Sequence, residues 1–311
     1  MRQQYIDILK GFTIIWVLWM HMDMPELIYP SVQMPIFFFI SGAFYHAKAP
    51  TLWKQMKDDS FKLLLPTLTF SLLALLVGLL KGTIQGSVID IIKGCLSSSI
   101  VWFLIALFYF RTIAYTCISR NRVIGVLIVA LLIYIPGFYL YAHENYWILP
   151  LFPLSHMGVF MIWFAIGVLW GKKILDLCTN PNKLTLGGLF LTIVYALLVH
   201  CIDWDAGVLA NIPWLAYGFP YTFGIIFVMT FLANKVEKVD FLKPINNTLA
   251  YVGANSIVFY LTHWPLWMYV FKPLAWNLYL SFFCIVLLEF PLIYIFNNYL
   301  PWCIGKKVNK Q

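Results

Sequence analysis

The chain has 311 residues, 62% of them hydrophobic and 11% charged, and its mean hydropathy is +0.82. A water-facing domain of this length needs more polar surface, so the composition excludes an ordinary soluble globule and makes lipid the main solvent. The net charge of +8 then reads first as loop charge that sets orientation in a bilayer, and no nucleic-acid partner is expected.

Apolar stretches long enough to cross about 30 Å of hydrocarbon recur along the whole chain and give about ten spans. They fall near residues 8–22, 30–46, 61–80, 99–118, 123–141, 156–171, 184–200, 213–233, 249–271 and 275–298. The expected fold is therefore all-α, a polytopic integral membrane helical bundle in one domain over residues 1–311, with a short basic tail at 299–311. If the N-terminus is cytoplasmic, Arg2, Lys10, Lys48, Lys54, Lys57, Lys62, Arg120, Arg122, Lys172, Lys173, Lys183, Lys235, Lys238, Lys243, Lys306, Lys307 and Lys310 all lie inside, whereas Lys81, Lys93 and Lys272 lie outside. That asymmetry predicts that both termini are cytoplasmic. The first span is expected to stay in the membrane as a helix, because it lacks the short apolar region and cleavage site of a signal peptide.

In the first span, Lys10 and His21 are eleven positions apart, which at about 100° per residue is three turns plus about 20°. They share one helix face, roughly 16 Å apart along the axis. Lys10 is thereby placed near the cytoplasmic entrance, as a candidate phosphate anchor, and His21 well across the bilayer, as a titratable base. An imidazole in a span must find a partner, so His21 is a functional candidate by position, with a packed interhelical hydrogen bond as the plainer reading. Lys10 also has Asp7 one turn earlier as an ordinary partner. Asp23 and Glu26 follow in the outer loop, where a carboxylate can orient the imidazole or merely solvate the turn.

Further along, the expected outer loops His143–Ser155 and Asp203–Ile212 carry acidic and aromatic residues and no lysine or arginine. Trp147, Trp204 and Trp214 near these edges read either as an interfacial belt or as stacking faces for sugar rings. Glu289 is an intramembrane carboxylate that must be neutral, paired or facing a wet cavity, and Arg111 is a candidate partner. The six cysteines are scattered and no two histidines have ligand spacing along a helix, so neither a metal site nor a disulfide frame is expected. The glycine-rich phosphate loop and the nucleophile elbow are both absent from the sequence.

Tyr5-Ile6-Asp7-Ile8-Leu9-Lys10-Gly11 followed by His21 resembles the opening of the acyltransferase 3 family of membrane O-acyltransferases. Pro35 to Gly42 is similar to the family's second span, and Trp102-Phe103-Leu104 to its fourth in the fucose 4-O-acetylase-like branch. Ser256 to Leu266, with Leu261-Thr262-His263-Trp264-Pro265, is similar to its ninth, and Glu289-Phe290-Pro291 to the Glu-x-Pro of its last. The resemblance implies an acyl-CoA donor, with acetyl-CoA preferred, and a carbohydrate acceptor, either a surface polysaccharide or a lipid-linked glycan, at the bacterial cytoplasmic membrane. By the same match Lys10 and His21 are the essential pair. Glu289 is a second catalytic candidate, while His263 and Trp264 either line the acceptor pocket or pack within the bundle. The chain departs from the family in having lysine where arginine is common in the first span, and in lacking paired arginines before the third. Lys62 is the cation left there for donor binding, with Asp59 three positions earlier. Lysine neutralises phosphate as a point charge without the bidentate fork. A transporter or flippase of lipid-linked glycans is the alternative from another class, since it too needs many helices and buried ionisable groups but no acyl-CoA.

Overall fold

The computed structural model describes residues 3–22, 24–25, 32–80, 102–142, 154–183, 185–191, 194 and 214–307. Asp23, Glu26, the greater part of the expected span 184–200 and both acidic outer loops, save Leu154 and Ser155, lie outside these residues. Among the described residues the chain is helical throughout, with no strand. The helices are α1 (Gln4–His21), α2 (Gln33–Ala43), α3 (Leu52–Leu80), α4 (Trp102–Ile118), α5 (Gly125–Ala142), α6 (Leu154–Thr179), α7 (Trp214–Glu237), α8 (Lys243–Ala254), α9 (Ser256–Leu266) and α10 (Leu278–Asn298). In hydrocarbon every backbone N–H and C=O must be satisfied within the segment, which a helix does. α3, α6, α7 from Phe219 onward, and α10 are long and apolar enough to cross a membrane, while α2, α4 and α5 are shorter apolar helices.

Two helices depart from the pattern of hydropathy. The third begins at Leu52 and not near residue 61, because the Thr51 hydroxyl accepts the Lys54 N–H at 3.2 Å and caps a polar first stretch. It then passes through one wide π turn at Ser60–Leu64. The expected span 249–271 is broken at Asn255, which separates α8 from α9 and is followed by a second π turn at Trp267–Phe271. The Asn255 amide donates to the Tyr251 carbonyl at 2.9 Å and its side-chain oxygen accepts from Asn297 at 2.9 Å, so the side chain competes for the helix's own hydrogen bonds.

Glycine sets the closest crossings. A Cβ at Gly253 would stand 1.8 Å from the Asp7 carbonyl oxygen, and one at Gly11 2.0 Å from that of Leu249, so α1 and α8 touch backbone to backbone. α2 and α6 do the same through Gly42 and Gly167, where a Cβ would lie 2.2 Å from the carbonyl oxygens of Phe164 and Phe39 respectively. Small residues drive such association because lipid tails are as apolar as the helices, leaving close van der Waals packing as the main attraction. Around these crossings the core is aromatic, with Phe38, Phe110, Trp163, Phe164 and Phe259 fully buried.

The buried charges pair differently from the sequence expectation. Arg111 bonds Asp59, with N···O distances of 2.8 and 3.0 Å, and does not serve Glu289. Gln55 donates to the second Asp59 oxygen at 2.7 Å, and the Arg111 guanidinium lies 4.9 Å from the centre of the Tyr45 ring. α3 and α4 are thus joined by an ion pair whose carboxylate is 1% exposed. At the end expected to face the cytoplasm, Gln4 donates to Asn247 at 2.9 Å. There the segment Pro301–Lys307 folds over the π turn of α3, with Gly305 at φ +69° against the Lys62 backbone. Lys306 bonds Asn297 and, at 3.4 Å, Asn255, pinning this segment to the α8–α9 break.

Candidate active site

The face of α1 predicted to hold both candidates is a continuous stripe. Lys10, Ile14 and Val17 line a narrow cavity of about 210 Å³, closed by Phe37 and Ser41 of α2, Leu63 of α3, Phe103 of α4, and Ser256 and Tyr260 of α9. His21 stands one helical turn beyond Val17. The Lys10 ammonium is 3.3 Å from an Asp7 carboxylate oxygen, so the ordinary partner is real, and the lysine side chain is still 26% exposed. An ammonium has three donors, of which this bond uses one.

At the other end of the stripe α1 meets α9. The ring centre of His21 is 5.2 Å from that of His263 and 5.3 Å from that of Trp264. His21 is exposed, Trp264 half-buried and His263 buried. The Nδ1 of His263 lies 2.8 Å from the Phe259 carbonyl oxygen one turn back, and a carbonyl only accepts, so this nitrogen carries the ring's hydrogen. The hydroxyl of the preceding residue, Thr262, lies 2.7 Å from each carboxylate oxygen of Glu289 in α10 and 2.7 Å from the Val258 carbonyl oxygen, so its single hydrogen is shared among these acceptors. Glu289 is fully buried and makes no ion pair among the described residues. It fastens α10 to α9 at Thr262, the residue before His263.

At the opposite end the C-terminal fold-over and the first turns of α3 enclose a basin of about 1080 Å³. Lys54, Lys57, Lys62, Lys306 and Lys307 line it with the single acid Asp58, and Trp53, 76% exposed, stands at its edge. The π turn aims consecutive residues at different spaces: Lys62 into this basin and Leu63 into the narrow cavity.

The structure therefore brings His21, His263 and Trp264 together, bonds Glu289 to Thr262, the residue before His263, and puts Lys10 and Lys62 on separate cavities whose linings include consecutive residues of the π turn. Lys306, Lys307, Ser41, Ser256 and Tyr260 line these cavities and were not among the site residues expected from sequence. They come from segments remote along the chain, and a serine or tyrosine in an apolar run carries no periodic signal. Chemically, a cationic mouth, a mostly apolar passage and a water-accessible imidazole suit a reaction whose charged and reacting parts lie far apart.

A family model described as an acyltransferase domain, that of acyltransferase 3, matches residues 3–304. No curated protein and no solved structure matches the chain significantly. Nearly the whole chain, including every element that builds the α1 stripe and the histidine face, falls within the matched span, and the chain belongs to the acyltransferase 3 family of membrane acyltransferases.

Proposed function

We propose that the chain moves an acetyl group from cytoplasmic acetyl-CoA to a hydroxyl of a cell-envelope carbohydrate, in the bacterial cytoplasmic membrane. The observation that carries this reading is the α1 stripe, along which a cavity runs from Lys10 past Ile14 to Val17 and ends one helical turn short of His21. CoA is polyanionic and does not cross hydrocarbon, so the group must be handed across by an uncharged arm. Pantetheine has about a dozen backbone bonds between its phosphate and its sulfur. At the extended-chain advance of about 3.5 Å per three bonds this is roughly 14 Å, close to the roughly 16 Å between Lys10 and His21.

In this arrangement the lysine basin holds the nucleotide end, with Lys62 and its neighbours on the phosphates, and Lys10 takes the phosphate at the mouth of the cavity. The acceptor approaches from the exposed side of His21, where the face of Trp264 offers a surface for a sugar ring. Neutral His21 accepts the hydroxyl proton as the oxygen attacks the thioester carbonyl. The tetrahedral intermediate then expels the thiolate, which leaves with that proton as CoA thiol. The small volume of the cavity favours acetyl over long acyl chains. Glu289 contributes by holding α9 in place.

Purified protein in proteoliposomes, given acetyl-labelled CoA and cell-envelope glycan, should move label onto carbohydrate and release free CoA. Glycan that crosses the bilayer unlabelled, with no CoA released, would instead establish the flippase reading.

A further inference from the structure

His263 has no part in the reaction just described, yet its surroundings are those of a working group. Its Nδ1–H is committed to the Phe259 carbonyl at 2.8 Å, so Nε2 is left as a bare lone pair. That Nε2 is buried and has no hydrogen-bond partner among the described residues, in a ring only 1% exposed. No substrate can reach the atom from solvent. The neighbouring ring that can is His21, 5.2 Å away between centres and tilted by 60°. Two imidazoles joined by an in-line N–H···N bond of ordinary length have centres about 5 Å apart, so the spacing of the two rings fits such a bond.

We infer that His263 is a positioning residue for His21: in the working state one His21 ring nitrogen donates its hydrogen to His263 Nε2, which fixes the tautomer and aims the other nitrogen's lone pair at the acceptor hydroxyl. The chain runs from the Phe259 carbonyl through His263 to His21, each ring donating on one side and accepting on the other. It parallels the principle by which a general base is held in one tautomer by a partner on its far nitrogen. This rests on the acyl-transfer reading for its consequence but not for its geometry. The covalent step is unchanged: the hydroxyl proton goes to His21, and His263 neither gains nor loses one.

A glutamine side chain separates the possibilities, because its amide carries a donor and an acceptor and can bond Phe259 and His21 together, yet is no base. His263→Gln should keep acetyl transfer within about tenfold of wild type, while His263→Phe should lower kcat by about 10²-fold with the KM for acetyl-CoA unchanged. Histidine-labelled protein in micelles supplies a readout without substrate. The long-range nitrogen–proton spectrum should show His21 as a single tautomer in wild type and as an exchanging mixture in His263→Phe, with the signal assigned by its loss in His21→Gln. A mixed tautomer in wild type, full kcat in His263→Phe, or a His263→Gln as inactive as His21→Gln each overturns the inference. If wild type transfers no acetyl at all, it is the proposed function that fails, and the tautomer comparison decides the histidine pair alone.

Discussion

Replacing Gly253 by alanine perturbs the candidate site without touching a candidate residue. The new methyl would stand 1.8 Å from the Asp7 carbonyl oxygen and 2.6 Å from the Gly11 nitrogen, both rigid backbone, where ordinary contact begins at 3.4 Å. α1 and α8 must therefore part by roughly 1–1.5 Å, and since α9 follows α8 directly, His21 shifts against His263. Overpacking of this kind costs about 1–3 kcal/mol, less the roughly 0.5–1 kcal/mol that alanine gains over glycine in a helix. The net loss is on the order of 1–2 kcal/mol, a fall of several degrees in the melting temperature of the protein in detergent. Misplacing a catalytic group by about 1 Å lowers turnover by about 10²-fold, so activity should fall far more than stability. Gly187→Ala is the matched control, because nothing lies within 4 Å of a Cβ there. Melting curves and acetyl-transfer rates measured on both variants decide the matter: a Gly253→Ala protein with wild-type turnover would show that the α1–α8 crossing does not set the site's geometry.

His21→Gln and His21→Ala should each lower transfer by about 10²–10⁴-fold at matched membrane expression, and the wild-type rate should fall toward acid as the imidazole takes a proton, a limb the glutamine variant lacks. Lys10→Ala should raise the acetyl-CoA requirement strongly while Lys10→Arg restores it; identical saturation curves for wild type and Lys10→Ala would put the anchor elsewhere. Arg111→Met strands the buried Asp59 carboxylate and should destabilise the protein by about 3–5 kcal/mol, whereas adding Asp59→Asn should recover part of that loss in the same melting assay. Cysteine reporters placed in His143–Ser155 or Asp203–Ile212 should react with an impermeant reagent from outside the cell, and reporters in Lys172–Lys183 should not.

The stripe from Lys10 to His21 was legible because helical periodicity is a local property and eleven residues return to the same face. The approach of His263 and Trp264 was not, since it depends on how α9 packs against α1, more than 200 positions away. Arg111 was offered Glu289 on chemistry alone. Its actual partner, Asp59, sits in a polar stretch that hydropathy assigns to a loop, although the Thr51 cap makes it helix. The break at Asn255 is likewise invisible to an apolar average, because it comes from one amide competing for backbone bonds. Membrane passage in general was plain from composition, and the family from motifs spaced along the chain. The lysine basin needed the fold, for the tail's cations reach it only by the turn at Gly305.

The π turn at Ser60–Leu64 is one residue more than an α-helix needs. It is therefore a register device: upstream of it Lys54 and Lys57 line the basin, and downstream the helix turns Pro66, Thr67, Phe70 and Ser71 into the bundle and leaves its leucines on the outside. Deleting a single residue there would leave hydropathy, length and charge almost unchanged, yet it would rotate Trp53, Lys54 and Lys57 by about 100° about the helix axis relative to Leu65 and beyond. Chains of this kind that differ by one residue at this turn would thus present different cations to the same basin, a difference that an alignment scored on hydrophobicity alone would pass over.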